Sequence, residues 1–341
     1  MDFSILQAVK VFGVAIASFV VALLATPFVS QLLVKYQFNK QIRTSERAPV
    51  FSELHKKKEG TPTGGGLIIW LTVLILAFLF SFHPLLNFTD RAQTYLPLVT
   101  LAIAGLLGLA DDILGILKVG PHGGGLGMRQ KLALYTVVAL VGALWFFYRL
   151  EWDVLNIPFY GNVNIGWYYV PFFMFIIIAS AFSVNETDGL DGLAGGVMLF
   201  AFSALTVVAF TLGRFYLASF GAAIVGSLLA FLWFNIYPAK FFMGDTGSMA
   251  LGITLGVIAM LTNTAFFLPF FAFIPVLESL SVIVQIPYKK LTGRKIFRST
   301  PIHHHFEAIG WPESQITMRF WIISVVMTTI GLVLFFLNRF L

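Results

Sequence analysis

The amino-acid sequence predicts an all-α polytopic membrane protein, and three observations lead to this prediction. Hydrophobic residues make up 58% of the 341 positions and charged residues 11%, against about 25% charged residues in soluble domains. The mean hydropathy is +0.87, and apolar runs near the roughly 20 residues of a membrane-spanning helix recur along the whole chain. The absence of Cys excludes disulfides, thiolate metal sites and a cysteine nucleophile. We therefore expect residues 1–341 to form one integral-membrane domain.

Ten apolar runs predict ten transmembrane helices. The first run is too long for the apolar part of a signal peptide and is expected to remain as a helix. The second and eighth runs are short, and Gly or Pro interrupts several others. Between the fourth and fifth runs, polar and apolar residues alternate around Gly161, which predicts a small hairpin at the outer interface. The ten runs cover residues 9–34, 66–83, 95–111, 131–149, 168–186, 192–212, 216–237, 248–263, 267–287 and 319–338.

The distribution of basic residues predicts the orientation of these helices. The long polar stretches 35–65, 111–130 and 287–318 all fall on one side of a ten-helix arrangement. The loops of that side, with the residues that border them, hold 17 of the 22 Lys and Arg residues. Because cytoplasmic loops carry an excess of Lys and Arg, we expect both termini outside (N-out/C-out) and these loops in the cytoplasm.

Five aspartates lie at the ends of apolar runs, all on the predicted cytoplasmic side: Asp111, Asp112, Asp188, Asp191 and Asp245. Carboxylates are expensive near a bilayer, and neighbouring ones repel each other. A divalent cation, basic groups or a proton must therefore compensate them. Each one alone could be a solvated loop charge. The five together, with lysines and histidines on the same side, predict a functional site.

The spacing of the first four aspartates leaves two interpretations open. Asp111 and Asp112 point about 100° apart on a helix, so they either cap a polar helix end or contribute to a cation or phosphate site. Asp188 and Asp191 are three residues apart and can share a helical face. Polar side chains of the same segment can also cap the helix that begins near residue 190, although capping explains only one of them.

Asp245 lies in a glycine-flanked turn before a helix, which is a natural anion-binding position. An aspartate there is unexpected unless Mg²⁺ bridges it to phosphate, so the turn predicts a magnesium site. Phe242 can stack on a flat ring or lie in the core. The basic, glycine-rich segment 56–66 either cradles phosphate with its lysines and backbone N–H groups or is attracted to anionic lipid.

Three consecutive histidines, His303, His304 and His305, cannot all ligate one metal from a helix. Beside carboxylates and phosphates they are suited to hydrogen bonding or charge stabilisation. With the carboxylates and lysines, and without a Ser/His/Asp hydrolase signature, they predict phosphoryl transfer. The membrane setting indicates that one reactant is a lipid.

Five segments carry a resemblance to a known family: KEGTPTGGG, GLADD, NETDGLDGLAGG, NIYPAKFFMGDTGS and PIHHHFE. In this order they resemble the signatures of the bacterial phospho-N-acetylmuramoyl-pentapeptide transferases, over residues 56 to 320. The aspartate motifs are shared with the wider superfamily of polyprenyl-phosphate N-acetylhexosamine-1-phosphate transferases, and PIHHHFE narrows the resemblance to the peptidoglycan branch. The chain departs from the usual pattern at Gly64, Glu186 and Thr246, where the family usually has Met, Leu, and Val or Ile.

The resemblance implies a ten-helix fold with a cytoplasm-facing catalytic cleft in the bacterial cytoplasmic (inner) membrane. It implies transfer of phospho-MurNAc-pentapeptide from UDP-MurNAc-pentapeptide to undecaprenyl phosphate, which gives lipid I and UMP in peptidoglycan synthesis. Cell-wall biogenesis, cell shape and cell division would depend on that product. The resemblance also implies Mg²⁺ as cofactor and a homodimer among membrane lipids, with no nucleic-acid partner.

The resemblance assigns roles by motif position. Asp245 is expected to bind Mg²⁺, with Asp111, Asp112 and Asp188 close by. Asp111, Asp112, Asp245 and His304 are the predicted catalytic residues. Uracil is expected near Lys58, Asp191, Asn235 and Phe242. The phosphate and sugar path is expected to be lined by Thr63, Lys131, Asn185, Gln285, His303, His304 and His305.

The main chemical difficulty of this reaction is charge. The acceptor phosphate has a second pKa of about 6 and hardly needs a base. Its repulsion from a pyrophosphate is about 4 kcal/mol per pair of unit charges at 4 Å and an effective dielectric near 20. We expect direct attack on the β-phosphate, with Asp111 or Asp112 positioning the acceptor or taking a residual proton. The rival is a two-step route through an aspartyl-phosphate.

Two other functions remain open. A sister transferase would move a different aminosugar phosphate to the same lipid and would be expected to lack PIHHHFE. A cation-coupled transporter would place acidic groups near the bilayer midplane. In this chain Glu278 alone lies well inside an apolar run, whereas the five aspartates lie at one edge.

Overall fold

A computed structural model describes residues 3–39, 58, 60–121 and 124–340. Lys56, Lys57 and Glu59 of the predicted basic segment lie outside these residues. Within the described part, the chain is mostly helical, and eight helices are long and apolar enough to cross a membrane. This is the pattern of an all-α polytopic membrane protein, as the sequence predicted.

The helices fall into long rods and a few short pieces. Two 3₁₀ turns, Gly166–Tyr168 and Ala265–Phe267, lead into helices. The α-helices are α1 (Phe3–Lys35), α2 (Leu67–Phe80), α3 (Tyr95–Ile116), α4 (Met128–Arg149), α5 (Tyr169–Thr187), α6 (Leu193–Thr211), α7 (Phe215–Asn235), α8 (Gly244–Leu261), α9 (Leu268–Phe271), α10 (Phe273–Thr292), α11 (Ile302–Ala308) and α12 (Glu313–Phe340).

Each of the ten predicted runs overlaps a helix, but two of them are not simple spans. Helix α2 has 14 residues, fewer than the roughly 20 that a bilayer core requires. The run 267–287, expected to be one helix, is broken, because Ala265–Phe271 and Phe273–Thr292 meet at 92°. Ala272, with φ −118° and ψ 42°, leaves the helical conformation and makes this break. The described residues thus hold eight candidate spans, or nine if the bent pair counts as one.

Helix α8 lies at the centre of the bundle. In its most apolar stretch 94% of the residues are buried, against 28% in α1, α4 and α12, whose remaining apolar surface is suited to lipid. Helices α3 and α5 pack along α8. The approach of α3 is very close, since a Cβ on Gly108 would lie 2.2 Å from the Asp245 carbonyl oxygen. Small residues at such contacts are typical of helix packing in membranes.

A two-stranded hairpin confirms the prediction around Gly161. Strands β1 (Val154–Ile157) and β2 (Gly161–Asn164) are antiparallel, with Ile157 opposite Gly161. Asn263, which follows α8, accepts a hydrogen bond from the Asn156 backbone at 3.0 Å and ties the hairpin to the bundle. Its position at the outer interface stays a prediction.

Candidate active site

Two aspartates cap the N-terminus of α8. Asp112, near the end of α3, accepts hydrogen bonds from the backbone N–H groups of Asp245 (3.1 Å) and Thr246 (3.0 Å). Asp188, the residue after α5, accepts one from the Gly244 N–H at 3.1 Å. The first amides of a helix have no partner within it, and its dipole favours negative charge at this end. The anion position predicted here is therefore taken, at these three amides, by carboxylates of the chain itself.

A second arrangement joins Asp111, Lys131 and Asp245. Lys131 Nζ lies 2.8 Å from Asp111 Oδ2 and 2.7 Å from Asp245 Oδ1. Asn185 Nδ2 donates to the same Asp245 oxygen at 2.5 Å, and Asp111 Oδ1 accepts from the Leu126 N–H. The neighbours Asp111 and Asp112 thus face different partners, as their helical spacing indicated. We call Asp111, Lys131 and Asp245 the Lys131 cluster.

Exposure distinguishes the aspartates of this region. The side chain of Asp245 is 23% exposed, whereas Asp111 is 2% and Asp112 8% exposed. Asp245 is therefore the one of the three that can meet a ligand directly. Two carboxylates share one lysine in the Lys131 cluster, so the cluster keeps a net negative charge and can attract a cation.

The residues present fit one kind of magnesium site. The described part of the chain has no group of three or more His, Asp and Glu side chains that could hold a metal by themselves. Mg²⁺, however, is usually held by one or two carboxylates together with waters and substrate phosphates. Asp245, partly exposed and next to Asp111, fits that second arrangement, in which the ion and the phosphates bind together.

A separate group of charges surrounds Lys58. Its Nζ lies 2.6 Å from Asp191 Oδ1 and 2.5 Å from Glu313 Oε1. Glu313 Oε1 also accepts the Asp191 N–H at 2.6 Å, and Asp191 Oδ2 accepts the Ala239 N–H at 3.0 Å. The Lys58 ammonium is 5.7 Å from the centre of the Phe242 ring. We call Lys58, Asp191 and Glu313 the Lys58 cluster.

Sequence reasoning missed Glu313. It begins α12, shortly after Trp311-Pro312, and reads as an ordinary acidic residue in a first helical turn. Its partners Lys58 and Asp191 lie 255 and 122 residues away, and no spacing rule connects them. The available signal was weak, since PIHHHFE lies shortly before this region in the chain but does not single out the acid.

Asn235, a predicted uracil-binding residue, holds backbone in place. Its Oδ1 accepts the Gly192 N–H at 3.0 Å, and its Nδ2 donates to the Phe241 carbonyl at 2.8 Å. It is 5% exposed. It thereby connects the turn before α6, which carries Asp191, to the segment that carries Phe242.

The glycine-rich segment pairs with the segment before α8. The N–H groups of Gly65 and Gly66 donate to the carbonyls of Phe242 and Met243, both at 2.8 Å. The predicted phosphate cradle therefore does not include these two N–H groups. Thr63 is buried. It lies close to Gly244, since a Cβ on that glycine would be 2.6 Å from Thr63 Oγ1. This pairing brings the chain that carries Lys58 beside Asp245.

The three histidines have three different partners. His304 Nδ1 lies 2.6 Å from Glu307 Oε2, and His305 Nδ1 accepts the Arg298 N–H at 3.1 Å. His303 is buried, with Nδ1 3.0 Å from Glu278 Oε2. Burial lowers the pKa of His303, but the carboxylates around it, Glu278 first, raise this pKa above its usual value.

Gln285, expected on the phosphate and sugar path, holds the loop before α11. Its Oε1 accepts the N–H groups of Ile296 (2.9 Å) and Phe297 (3.1 Å), and its Nε2 donates to the Phe297 carbonyl at 2.9 Å. All these contacts are local to α10 and the loop. They position the histidine segment.

Thr246, one of the departures from the family pattern, has a role that Val or Ile could not fill. Its Oγ1 accepts a hydrogen bond from Trp70 Nε1 at 3.0 Å and donates to the Gly105 carbonyl at 2.9 Å. The hydroxyl thereby links α2, α3 and α8 directly beneath Asp245.

The fold and the site define an α-helical membrane protein whose central helix begins among carboxylates and lysines. Residues 94–263 match the family described as Glycosyl transferase family 4. The chain is 41% identical over 319 residues to the phospho-N-acetylmuramoyl-pentapeptide-transferase of Clostridium perfringens (strain 13 / Type A), covering 93% of this chain and 96% of that protein. Proteins with the same name are 39% identical in Acetivibrio thermocellus (97% and 96% covered) and in Listeria monocytogenes serovar 1/2a (95% and 96%). The chain belongs to the phospho-N-acetylmuramoyl-pentapeptide-transferase family, which supports a phosphotransferase.

Proposed function

We propose that this protein transfers phospho-MurNAc-pentapeptide from UDP-MurNAc-pentapeptide to undecaprenyl phosphate and so forms lipid I and UMP for peptidoglycan synthesis. The observation that carries this proposal is the Lys131 cluster at the start of the central helix, in a chain of this family. A lysine held by two carboxylates, one of them partly exposed, is suited to reacting phosphates. A bundle with candidate membrane spans is suited to a lipid acceptor.

The proposal includes a topology. Helix α2 and the bent pair α9–α10 would be the two spans beyond the eight long helices, which gives ten, with both termini outside. Seventeen of the 22 basic residues then belong to the cytoplasmic side of the bacterial inner membrane, and the site faces the same side. A homodimer is part of the proposal by family membership.

Asp245 would hold Mg²⁺, with Asp111 close by. The ion would supply positive charge against the pyrophosphate of the donor and the phosphate of the acceptor. Lys131 adds a fixed positive charge at the same place, because two carboxylates restrain its Nζ. Lys58 and Asp191, with Phe242 alongside, offer a charged pair and a ring face to the uracil.

The contacts favour direct transfer over an aspartyl-phosphate. Both oxygens of Asp112 accept backbone N–H groups of α8. Asp111 uses Oδ1 for the Leu126 N–H and Oδ2 for Lys131. Either residue would have to abandon these partners to attack phosphorus. The acceptor phosphate is already largely dianionic near neutral pH and can attack without a strong base.

Release of UMP from UDP-MurNAc-pentapeptide tests the proposal, measured with and without undecaprenyl phosphate and Mg²⁺. We expect release only when both are present. Asp245→Asn should abolish it while leaving thermal unfolding nearly unchanged. Asp153→Asn, which removes a carboxylate beside the distant hairpin, is the matched control and should keep wild-type activity. Substantial Mg²⁺-dependent activity in Asp245→Asn would refute the assignment of the ion to this residue.

The same preparation separates the other candidate functions. A sister transferase would release UMP from a different UDP-aminosugar, and that donor would compete with UDP-MurNAc-pentapeptide. A transporter would move cations across liposomes without releasing UMP. Inversion of configuration at a chiral β-phosphate is expected for direct transfer, and retention would establish the two-step route.

A further inference from the structure

Glu278 and His303 form an ion pair that no sequence motif indicated. Both residues are 0% exposed, and His303 Nδ1 lies 3.0 Å from Glu278 Oε2. The same oxygen accepts the backbone N–H of His303 at 3.3 Å. Helix α10 thus holds both the ring and the backbone of the first histidine of α11. A carboxylate buried to this extent requires a positively charged or hydrogen-bonded partner.

The opposite edge of the imidazole contacts Gly189. A Cβ on Gly189 would lie 2.1 Å from His303 Nε2, so the ring occupies space that only glycine leaves. The backbone φ of Gly189 is not positive, and space is therefore the reason for a glycine here. His303 Nε2 is buried and has no hydrogen-bond partner among the described residues. Its contact with the turn is one of packing.

Gly189 lies in the turn between α5 and α6, between Asp188 and Asp191. Asp188 caps the N-terminus of α8 at Gly244, and Asp191 contacts Lys58 at 2.6 Å. One end of this short turn therefore caps α8, and the other end belongs to the Lys58 cluster. A shift of Gly189 would move both carboxylates together.

We propose that Glu278 is a positioning residue for the transferase site. It fixes the His303 imidazole against Gly189 and thereby holds the turn that carries Asp188 and Asp191. Glu278 itself does not contact the Lys131 or Lys58 cluster, so it acts through the histidine. The kinetic consequence of this inference rests on the proposed function, whereas its structural consequence does not.

Four titratable groups face His303: Glu278 from α10, Glu186 from α5, and Glu307 and His304 from α11. Burial opposes protonation of His303, and these carboxylates, led by Glu278, raise its pKa above the usual value of about 6.5. The stabilisation from the pair is therefore complete below the pKa of the unfolded state. It is lost as the pH rises through the higher pKa of the folded state.

Glu278→Gln in the full-length protein tests this inference, because Gln keeps the shape and removes the charge. Histidine ring signals in ¹H–¹⁵N spectra, with His303 assigned through His303→Gln, should titrate at least one pH unit lower in Glu278→Gln. Hydrogen exchange of a peptide covering residues 185–193 should be at least tenfold faster. The kcat/KM for UMP release should fall at least tenfold. Ser281→Ala is the matched control, since Ser281 is buried one turn along α10 and donates to the Glu278 carbonyl at 2.6 Å.

The inference is overturned if Glu278→Gln leaves both the His303 titration and the exchange of the turn at wild-type values. If Glu278→Gln does not fold, Gly189→Ala provides the second test, because its Cβ displaces the imidazole from the other side. It should accelerate exchange of the same peptide, and unchanged exchange contradicts the proposal. When both variants fold, their combined loss of kcat/KM should be smaller than the product of the single losses. A wild-type protein that releases no UMP would refute the proposed function, and the titration and exchange results would still decide the role of Glu278.

Discussion

Lys131→Gln is the perturbation whose effect the site geometry defines most closely. Its contacts of 2.8 and 2.7 Å place Asp111 Oδ2 and Asp245 Oδ1 within about 5.5 Å of each other. At this separation and an effective dielectric near 20, two carboxylates repel each other by about 3 kcal/mol. Lysine offsets this repulsion in the wild type, and glutamine, which is neutral, cannot.

The same lysine is expected to act on the reacting phosphates. Removing one fixed electrostatic donor from a transition-state site typically lowers kcat by about 10²–10³-fold. We expect a loss of this size in UMP release for Lys131→Gln, and we expect it to persist when Mg²⁺ is raised tenfold. Added Mg²⁺ can offset the charge of the two carboxylates but cannot reproduce the restrained ammonium beside the phosphates.

Arg129→Gln is the matched control for this measurement. Arg129 is exposed, lies two residues earlier on α4, and carries the same charge without a contact to the carboxylates. It should keep kcat and KM within about threefold of the wild type, since exposed charges contribute little. The reasoning is refuted if Lys131→Gln also stays within that range. It is equally refuted if tenfold more Mg²⁺ restores wild-type activity.

Three further changes test other parts of the structure. Thr246→Val leaves the buried Trp70 N–H without its acceptor and should lower the free energy of unfolding by about 1–3 kcal/mol. Denaturation in detergent measures this change, and Thr136→Val, at an exposed threonine, is the control. Gly108→Ala places a Cβ 2.2 Å from a backbone oxygen of α8 and should destabilise the folded protein by about 1–3 kcal/mol or more. A wild-type melting temperature would contradict the packing described. Glu313→Gln removes the negative charge that contacts Lys58. It should raise KM for the UDP donor about tenfold, or about 1.4 kcal/mol, with little change in kcat. An unchanged KM would argue against a donor site at this cluster.

The sequence could predict the helices because hydropathy is a local property. All ten apolar runs overlap helices, and the alternation around Gly161 indicated the hairpin. The helix boundaries were less accurate where a first turn is polar. Helix α8 begins at Gly244 rather than near residue 248, and α12 begins at Glu313 rather than near residue 319. An apolar run marks only the apolar length of a helix, whereas capping carboxylates and backbone pairing extend the helix into polar sequence.

The exact place and angle of the break at Ala272 could not be read from the sequence. The run 267–287 is largely apolar, although Glu278 lies inside it, and it contains Pro269, Pro275 and Pro287. Pro275 lies in the first turn of α10, where proline is tolerated. What bends the chain by 92° is a single residue outside the helical region of φ and ψ. Pro275 is a local sign that a helix is interrupted near this point. The backbone conformation of Ala272, which sets the angle, depends on tertiary contacts.

Motif position named several residues that the structure brings together, but it did not predict their pairing. Motif position identified Asp245, Lys131 and Asn185. In the structure, Lys131 and Asn185 both donate hydrogen bonds to Asp245. The same reasoning did not find Glu313 or give Glu278 a partner. An ion pair between residues far apart in the chain leaves no periodicity, so a single sequence contains no record of it.

The contacts divide the five aspartates by how each charge is compensated, and this bears on where the proposed Mg²⁺ would bind. Asp112 and Asp188 are stabilised by backbone amides at the positive end of α8, which requires no ion. Asp191 forms an ion pair with Lys58, which also pairs with Glu313. Asp111 and Asp245 share the single positive charge of Lys131, besides the neutral donors Leu126 N–H and Asn185, and Asp245 is the partly exposed member. Under the proposed function, a divalent ion would therefore have its strongest electrostatic reason to bind at Asp245, whose side chain does not cap α8 because other residues do.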